Sequence, residues 1–560
     1  MKFLNLLKRG TENLKSSLKR FPYALIFSTL TTIILIYYVN MENHFSTEKV
    51  ELFIRLALTT ALGFPLFLII KAFFERKTKI KVIQKIIIRL ITLFILIGYY
   101  FFLLKEINMV TATRYIAVSL ALYLLFITIA YFKNKRNFEL FVVKIFTRIL
   151  ITSIYSFVLF GGLSITLFTL DKLLNLPVTE EIYFSTFLTV IGLFAPIFLL
   201  AKIPRQNDNV DIKHYPRVLE ILFLYIVMPL ISIYTTILYI YFVKILLIQQ
   251  WPEGLVAHLV LWYAALSIII LFFISPLKQK NKWVKFFRKW LPIAIIPLLL
   301  MMFSAIKIRI DAYGITENRY YVVLLGIWAL GIMIYYIFRK KKNNIFLPLS
   351  LAIITLLAVF GPWSSYSVSI YSQNQRFANI AQKYDMIEDN TVVKTEMKIR
   401  EEDKEELIAI LKYFDNNHDF DNLKYLPSDF STNDTEELFG FSYQPKYNPD
   451  QFEHFSYNLN QNKQAISLKN YDYLFHLSTY HPESSSLENN IKVNLNNENN
   501  EIIITKNNVE IYRKSLIPIL KELHTINKNI SKEKLNPKDF IYIDEKENIK
   551  LKFIFISFYG

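Results

Sequence analysis

The chain has 560 residues and no cysteine. That excludes disulfides, thiolate metal sites, iron–sulfur clusters and cysteine nucleophiles. The glycine-rich loops that cradle nucleotides are missing too: neither GxxxxGK[ST] nor GxGxxG occurs. There is no HExxH zinc motif and no GxSxG nucleophile elbow. No cofactor is therefore expected. Charge is scarce, at 20% of residues against about 25% in soluble domains. No Asp or Glu falls near the centre of any long apolar run. Ion-coupled carriers typically need acid at the membrane midplane, so this absence argues against that class.

What the chain does have is hydrophobicity. It is 53% hydrophobic and 16% aromatic, with a mean hydropathy of +0.31. These values exclude a disordered chain, a collagen-like fibre and a coiled coil. A helix of roughly 20 apolar residues crosses the hydrocarbon core, where only internal hydrogen bonds can satisfy the backbone. Eleven segments fit: 21–39, 52–70, 86–104, 115–132, 149–170, 182–201, 219–243, 255–277, 290–306, 320–338 and 345–363. The first, FPYALIFSTLTTIILIYYV, is too long for a signal peptide and lacks a cleavage site, so it reads as a retained span. The expected fold is a polytopic α-helical membrane protein of about 11 transmembrane helices with a C-terminal soluble α+β domain.

The charge is unevenly placed. The net +18 divides into 41 Lys+Arg and 16 Asp+Glu over residues 1–370, and 23 and 30 over 371–560. Basic charge strung between apolar runs is the pattern of a membrane protein, so no nucleic acid partner is expected. The N-terminus and the even-numbered connections carry 31 Lys+Arg, the odd-numbered ones 7. The alternation never breaks. By the positive-inside rule it predicts a multi-pass membrane protein with a cytoplasmic N-terminus and an extracytoplasmic C-terminal region. Tyr37, Tyr99, Trp262, Trp290 and Trp363 lie near span ends, the depth that amphipathic rings prefer.

The predicted divisions are a basic segment over 1–20, a helical bundle over 21–363, a juxtamembrane connection and helix over 364–400, and the soluble domain over 401–560. Residues 1–20 interleave leucines with basic residues. They suit either a helix on the anionic inner leaflet or a solvated tail. In the soluble domain, strands are expected at 491–495, 501–506 and 509–513, a helix at 515–526, and two final strands.

Pro65, Pro196, Pro229, Pro297 and Pro348 fall inside spans, where each removes a backbone hydrogen bond and favours a kink. Gly161–Gly162 interrupts the fifth span. His476 and His481, five residues apart, read as surface histidines rather than a metal pair. Lys244 and His258 flank the short loop IQQWPEG, which carries Trp251 and Pro252. His258 is the deepest titratable side chain, about one turn into its span.

The densest polar stretch joins the ninth and tenth spans. It holds Lys307, Arg309, Asp311, Tyr313, Gly314, Thr316, Glu317, Arg319 and Tyr320. Three basic residues here oppose the topological trend. Gly314 permits a tight turn, and Thr316 suits the N-cap of the tenth helix. Arg309 and Arg319 are placed to pair with Asp311 and Glu317, to bind an anionic lipid headgroup, or to meet the acidic outer domain.

RIDAYGITENRYY at 309–321, the earlier KILLIQQWPEG and the later FGPWSSYSVS resemble the bacterial membrane family called domain of unknown function 4153. The resemblance covers roughly residues 20–375. It implies the multi-span layout and supplies no activity. The family-like residues it marks are Trp251, Pro252, Arg309, Tyr313, Gly314, Thr316, Glu317, Arg319, Tyr320, Gly361, Pro362 and Trp363, grouped on the outer face.

Three functions are then open. One is a non-enzymatic envelope sensor or assembly partner whose outer domain docks through this motif. Another is a transporter or permease for an apolar or lipid-like substrate. The third is a membrane-embedded transferase acting on a lipid-linked substrate, with Asp311, Glu317 and His258 as its reactive groups. The partners implied are the lipid bilayer, anionic lipid headgroups and another envelope protein.

Overall fold

The computed structural model describes the chain from residue 15 onward, apart from 42–45, 78–79, 132–137, 205–214, 249–254, 340–342, 390, 396, 428–429, 442, 444–455, 459–468, 470, 476, 478–482, 486–490, 497–500, 508, 517, 521–522, 524–540, 547–548, 555–556 and 560. Among the described residues, ten helices are long and apolar enough to cross a membrane. They are α1 (Pro22–Met41), α2 (Glu48–Arg76), α3 (Val82–Leu103), α4 (Met109–Ala130), α5 (Phe138–Leu174), α6 (Glu180–Leu200), α7 (Arg217–Ile248), α8 (Val256–Phe273), α9 (Lys282–Tyr313) and α10 (Glu317–Phe338). The chain is a multi-pass membrane protein.

The eleventh predicted span is shorter than expected. It is α11 (Phe346–Val359), 14 residues, or about 21 Å at 1.5 Å per residue. Phe360 leaves the helix in an extended conformation and Gly361 follows at φ +90°, so the helix stops ahead of Pro362. Gly161 and Gly162, by contrast, do not interrupt α5, which runs unbroken through both. Two of the prolines follow π-helical turns, Val190–Phe194 before Pro196 and Leu222–Val227 before Pro229. A widened turn accommodates the backbone bond that proline cannot make.

Long-range bonds fix which helix ends lie together. At one end, Arg20 makes a bidentate pair with Glu75, at 2.9 and 3.0 Å, and donates to the carbonyls of Ile203 and Pro204. A cavity of about 20 Å³, room for one water, lies among Arg20, Glu75, Phe126, Ala130, Phe141 and Pro204. It brings the end of α4 and the start of α5 to the same level. A buried polar network sits at that end too. Asn344 donates to Glu139 and to Ser275, Arg288 donates to the Ser275 carbonyl, and Tyr336 donates to Asn344. At the other end, Arg114 donates to the Val359 carbonyl at 3.3 Å and Tyr366 to that of Val110. α11 therefore runs alongside α4 from the Arg20 end to the Val110 end. The 22 residues of α4 span about 33 Å.

Close packing inside the bundle rests partly on small residues. Ser28 of α1 donates to the Gly192 carbonyl of α6 at 2.6 Å. A side chain at Gly192 would collide with Thr32. In lipid, such close approach replaces the hydrophobic drive available in water.

Beyond the bundle come α12 (Ser365–Lys383), a short hairpin of β1 (Ile387–Glu388) and β2 (Thr391–Val392), and α13 (Glu401–Asn417). Ser364 caps α12, its hydroxyl accepting from the Ser367 N–H. α13 opens with Glu401, Glu402 and Asp403, acids that favour a helix N-terminus. The chain divides into two compact units, Met1–Asp434 and Thr435–Gly560. The division falls after α13 rather than at the expected 400/401. The reason is that Leu407, Ile410, Leu411 and Phe414 are buried along α13, and that α12 and α13 are bonded to each other and to the bundle.

The second unit holds α14 (Thr435–Phe439) and β-structure. β4 (Glu483–Ser485), β5 (Ile491–Asn496), β6 (Glu501–Lys506) and β7 (Val509–Ser515) form an antiparallel meander. β8 (Ile541–Lys546) pairs with β9 (Ile549–Ile554), and β3 (Ser456–Asn458) with β10 (Ser557–Tyr559). Val493, Ile502, Ile504 and Tyr512 form the core with Leu516, Ile519 and Leu523. All the expected strands are present. Of the expected helix over 515–526, only 518–520 and 523 are described as helical.

Candidate functional site

The α9–α10 turn is built from its own sequence. α9 ends at Tyr313, and Gly314 takes φ +67°, a conformation that favours glycine. Thr316 has the extended backbone of an N-cap residue, but its side chain makes no capping bond. Its carbonyl accepts the first helical bond, from Tyr320 at 2.9 Å. Arg319 donates to the carbonyls of Tyr313, at 3.1 Å, and Gly314, at 2.8 Å, and stacks on the Tyr313 ring. A cation on the last carbonyls of α9 satisfies acceptors that the helix leaves open.

α12 clamps this turn with three residues on one face. The Ile315 N–H donates to Ser372 Oγ at 2.9 Å. Gln373 Nε2 donates to the carbonyls of Tyr313 and Ile315, at 3.2 and 3.0 Å. Arg376 Nη1 donates to the Tyr313 carbonyl at 2.8 Å, and its Nη2 to Glu406 of α13 at 2.6 Å. A Cβ on Gly314 would lie 2.5 Å from Arg376 Cδ. Glycine is required there by both space and backbone angle.

α13 closes the site from the other side. Tyr413 donates to Glu317 Oε1 at 2.6 Å, and His418 Nε2 lies 2.8 Å from the same oxygen. Tyr413 and His418 are themselves 3.0 Å apart. The carboxylate only accepts, so His418 carries its hydrogen on Nε2. The His418 side chain is 4% exposed and that of Glu317 18%. Burial, reinforced by the bond to Glu317, pushes the Tyr413 hydroxyl far above the usual phenol range. A second contact lies beside it: Tyr320 donates to the Trp363 carbonyl at 2.7 Å, and Tyr321 meets Ser365 at 2.8 Å.

The expected pairing of Arg309 and Arg319 with Asp311 and Glu317 does not form. Asp311 pairs with Lys307, one helical turn away, at 3.2 Å, and both are exposed. Glu317 goes to α13 and Arg319 to its own turn, because residues two apart on α10 point in different directions. Among the described residues Arg309 makes no ion pair, and no bond joins His258 to Asp311 or Glu317. Lys244 is exposed near the end of α7, and His258 is half-buried in α8. Trp251, Pro252, His476 and His481 lie outside the described residues, as do residues 1–14 of the basic segment. Among the described residues, no three of His, Asp and Glu are grouped to hold a metal ion.

Sequence reasoning missed Ser372, Gln373, Arg376, Glu406, Tyr413 and His418. The usable signal was the run of polar residues on α12, one helical face of which meets the turn.

No solved structure matches the chain. A stretch of 205 residues is 28% identical to the uncharacterised protein PM1469 of Pasteurella multocida strain Pm70. It covers 36% of this chain, and the chain spans only 35% of that protein's length. The model of the family described as domain of unknown function (DUF4153) matches residues 6–390, from the N-terminal segment through α12 and β1. The family resemblance carried by the α9–α10 turn thus extends over more than half of the sequence, and the chain belongs to the DUF4153 family.

Proposed function

We propose that this is a non-enzymatic protein of the bacterial cytoplasmic membrane, an envelope sensor or assembly partner. In this reading the N-terminus is cytoplasmic, and α12, α13 and the C-terminal unit face outward. The basic count, 31 residues against 7, supports that orientation.

The observation that carries the reading is how the polar groups of the α9–α10 turn are used. Glu317 is occupied by Tyr413 and His418, and Arg319 by two backbone carbonyls. A general acid or base must reach a substrate proton directly or through one water, and these groups are committed to holding α13 and the turn itself. Any partner that moves α13 must break bonds to α10 and to α12, which itself clamps the end of α9, so a signal received outside is passed to the membrane helices.

The test is a charge swap. Arg376→Glu should release α13, raise tryptic cleavage at Lys394, Lys398 and Arg400, and abolish complementation of an envelope defect in a deletion strain. Arg376→Glu combined with Glu406→Arg should restore both. Full complementation by the loosened single variant would contradict the coupling role.

A further inference from the structure

A second cavity, of about 150 Å³, lies near the Arg20 end of the bundle, between the start of α1, the end of α2 and the start of α3. Its lining includes four cations, Lys19, Arg20, Lys71 and Arg89, and the rings of Tyr23 and Phe74. One carboxylate stands beside it: Glu75 takes Arg20 in a bidentate pair and Lys71 at 3.5 Å. Four positive charges against one negative leave an excess of three. Among the described residues, Lys19 and Arg89 make no ion pair.

Arg89 is held ready for an anion. Its guanidinium lies 4.5 Å from the Tyr23 ring and 5.7 Å from that of Phe74. Stacking fixes the plane of the group while leaving its N–H edge free, the geometry that suits a phosphate. Arg20 is already spent on Glu75, Ile203 and Pro204. The surroundings point to a ligand with tails. Along α3, Ile86 and Leu90 beside Arg89 are 47% and 49% exposed, and Phe94 is 71% exposed, so the helix presents an apolar surface to lipid. Arg89 sits seven residues into α3, about 10 Å by helical rise, which is within the snorkelling reach of arginine.

We infer that this cavity binds the phosphate headgroup of an anionic lipid on the basic face of the bundle, its acyl chains running down the apolar surface of α3. Basic pockets between helices on that face favour such headgroups. This goes beyond the proposed function, which concerns the opposite end of the helices.

The test uses the purified full-length chain in non-ionic detergent, titrated with short-chain phosphatidylglycerol, short-chain phosphatidylcholine or inorganic phosphate. Native mass spectrometry reads binding. Phosphatidylglycerol should bind, and phosphatidylcholine should bind at least tenfold more weakly. Lys19→Gln and Arg89→Gln should each weaken phosphatidylglycerol binding about fivefold, the effect of one interfacial cation. Arg89→Lys, which keeps the charge and loses the stacked fork, tests the site should the glutamine variant misfold. Lys289→Gln, on the same basic face outside the cavity, should change nothing. Inorganic phosphate binding as tightly as the lipid would overturn the lipid assignment. Undiminished lipid binding by Lys19→Gln together with either Arg89 variant would overturn the site.

Discussion

His418 Nε2 and Glu317 Oε1 lie 2.8 Å apart across 101 residues of sequence, joining the end of α13 to the first turn of α10. The bond is nearly out of water, with Tyr413 on the same oxygen. It ties the membrane bundle to the first helices beyond it.

Removing one partner leaves the other desolvated. His418→Ala should therefore destabilise the docking of α13 by about 2–3 kcal/mol. Glu317→Gln, which keeps an acceptor, should cost about 1 kcal/mol. Hydrogen exchange of amides 401–417 checks both, and protection unchanged in His418→Ala would contradict the role given to the bond.

Gly314→Ala should lower the thermal midpoint measurably. The left-handed backbone alone costs about 1 kcal/mol for a residue with a Cβ, and the collision with Arg376 adds to it. Pairing it with Arg376→Ala should recover part of the loss, because the added methyl then has room. Additive losses would argue that the two positions do not touch.

Acid should loosen the same helices through a different group. Lys383 and the Tyr384 hydroxyl, 2.7 and 2.5 Å away, hold the Asp403 carboxyl below its ordinary range. A depressed carboxylate contributes stability that is full above its unfolded pKa of about 3.9 and lost as pH falls through the lower folded value. Protection of α13 should thus fall below about pH 4. In Asp403→Asn that acid-dependent part should be absent. An identical acid profile for the two proteins would rule Asp403 out as its source.

The buried network at the opposite end should be sensitive as a unit. Asn344→Leu removes the partner of Glu139, Ser275 and Tyr336 together. A loss of about 2–4 kcal/mol is expected. Adding Glu139→Gln to it should cost little more, since the carboxylate has already lost that donor. Independent, additive effects in thermal unfolding would contradict the shared network.

The spans were legible because an apolar run of fixed length is a property of the chain alone. Their alternation was legible because lysines and arginines collect at one set of connections. The turn at Gly314 was visible for a similar reason: glycine, a capping position and charges lie within a dozen residues. The partners of that turn were not. Glu317 has Arg319 two residues away and chooses His418 instead, and nothing local distinguishes these options until α10 and α13 are placed. Arg319 was misread because a backbone carbonyl leaves no mark in a sequence, whereas an acidic residue does. The end of α11 was overrun although Gly361–Pro362 marks the stop, because the apolar residues continue through Phe360.

In the proposed orientation an odd number of crossings separates the N-terminus from α13. The missing cysteines make it directly testable, since any introduced thiol is the only one. Lys77→Cys, in the α2–α3 connection, and Asn416→Cys, near the end of α13, are treated in intact cells with a membrane-impermeant maleimide. Asn416→Cys should be labelled at once and Lys77→Cys only after lysis. Labelling of both, or of Lys77→Cys alone, in intact cells would contradict that orientation.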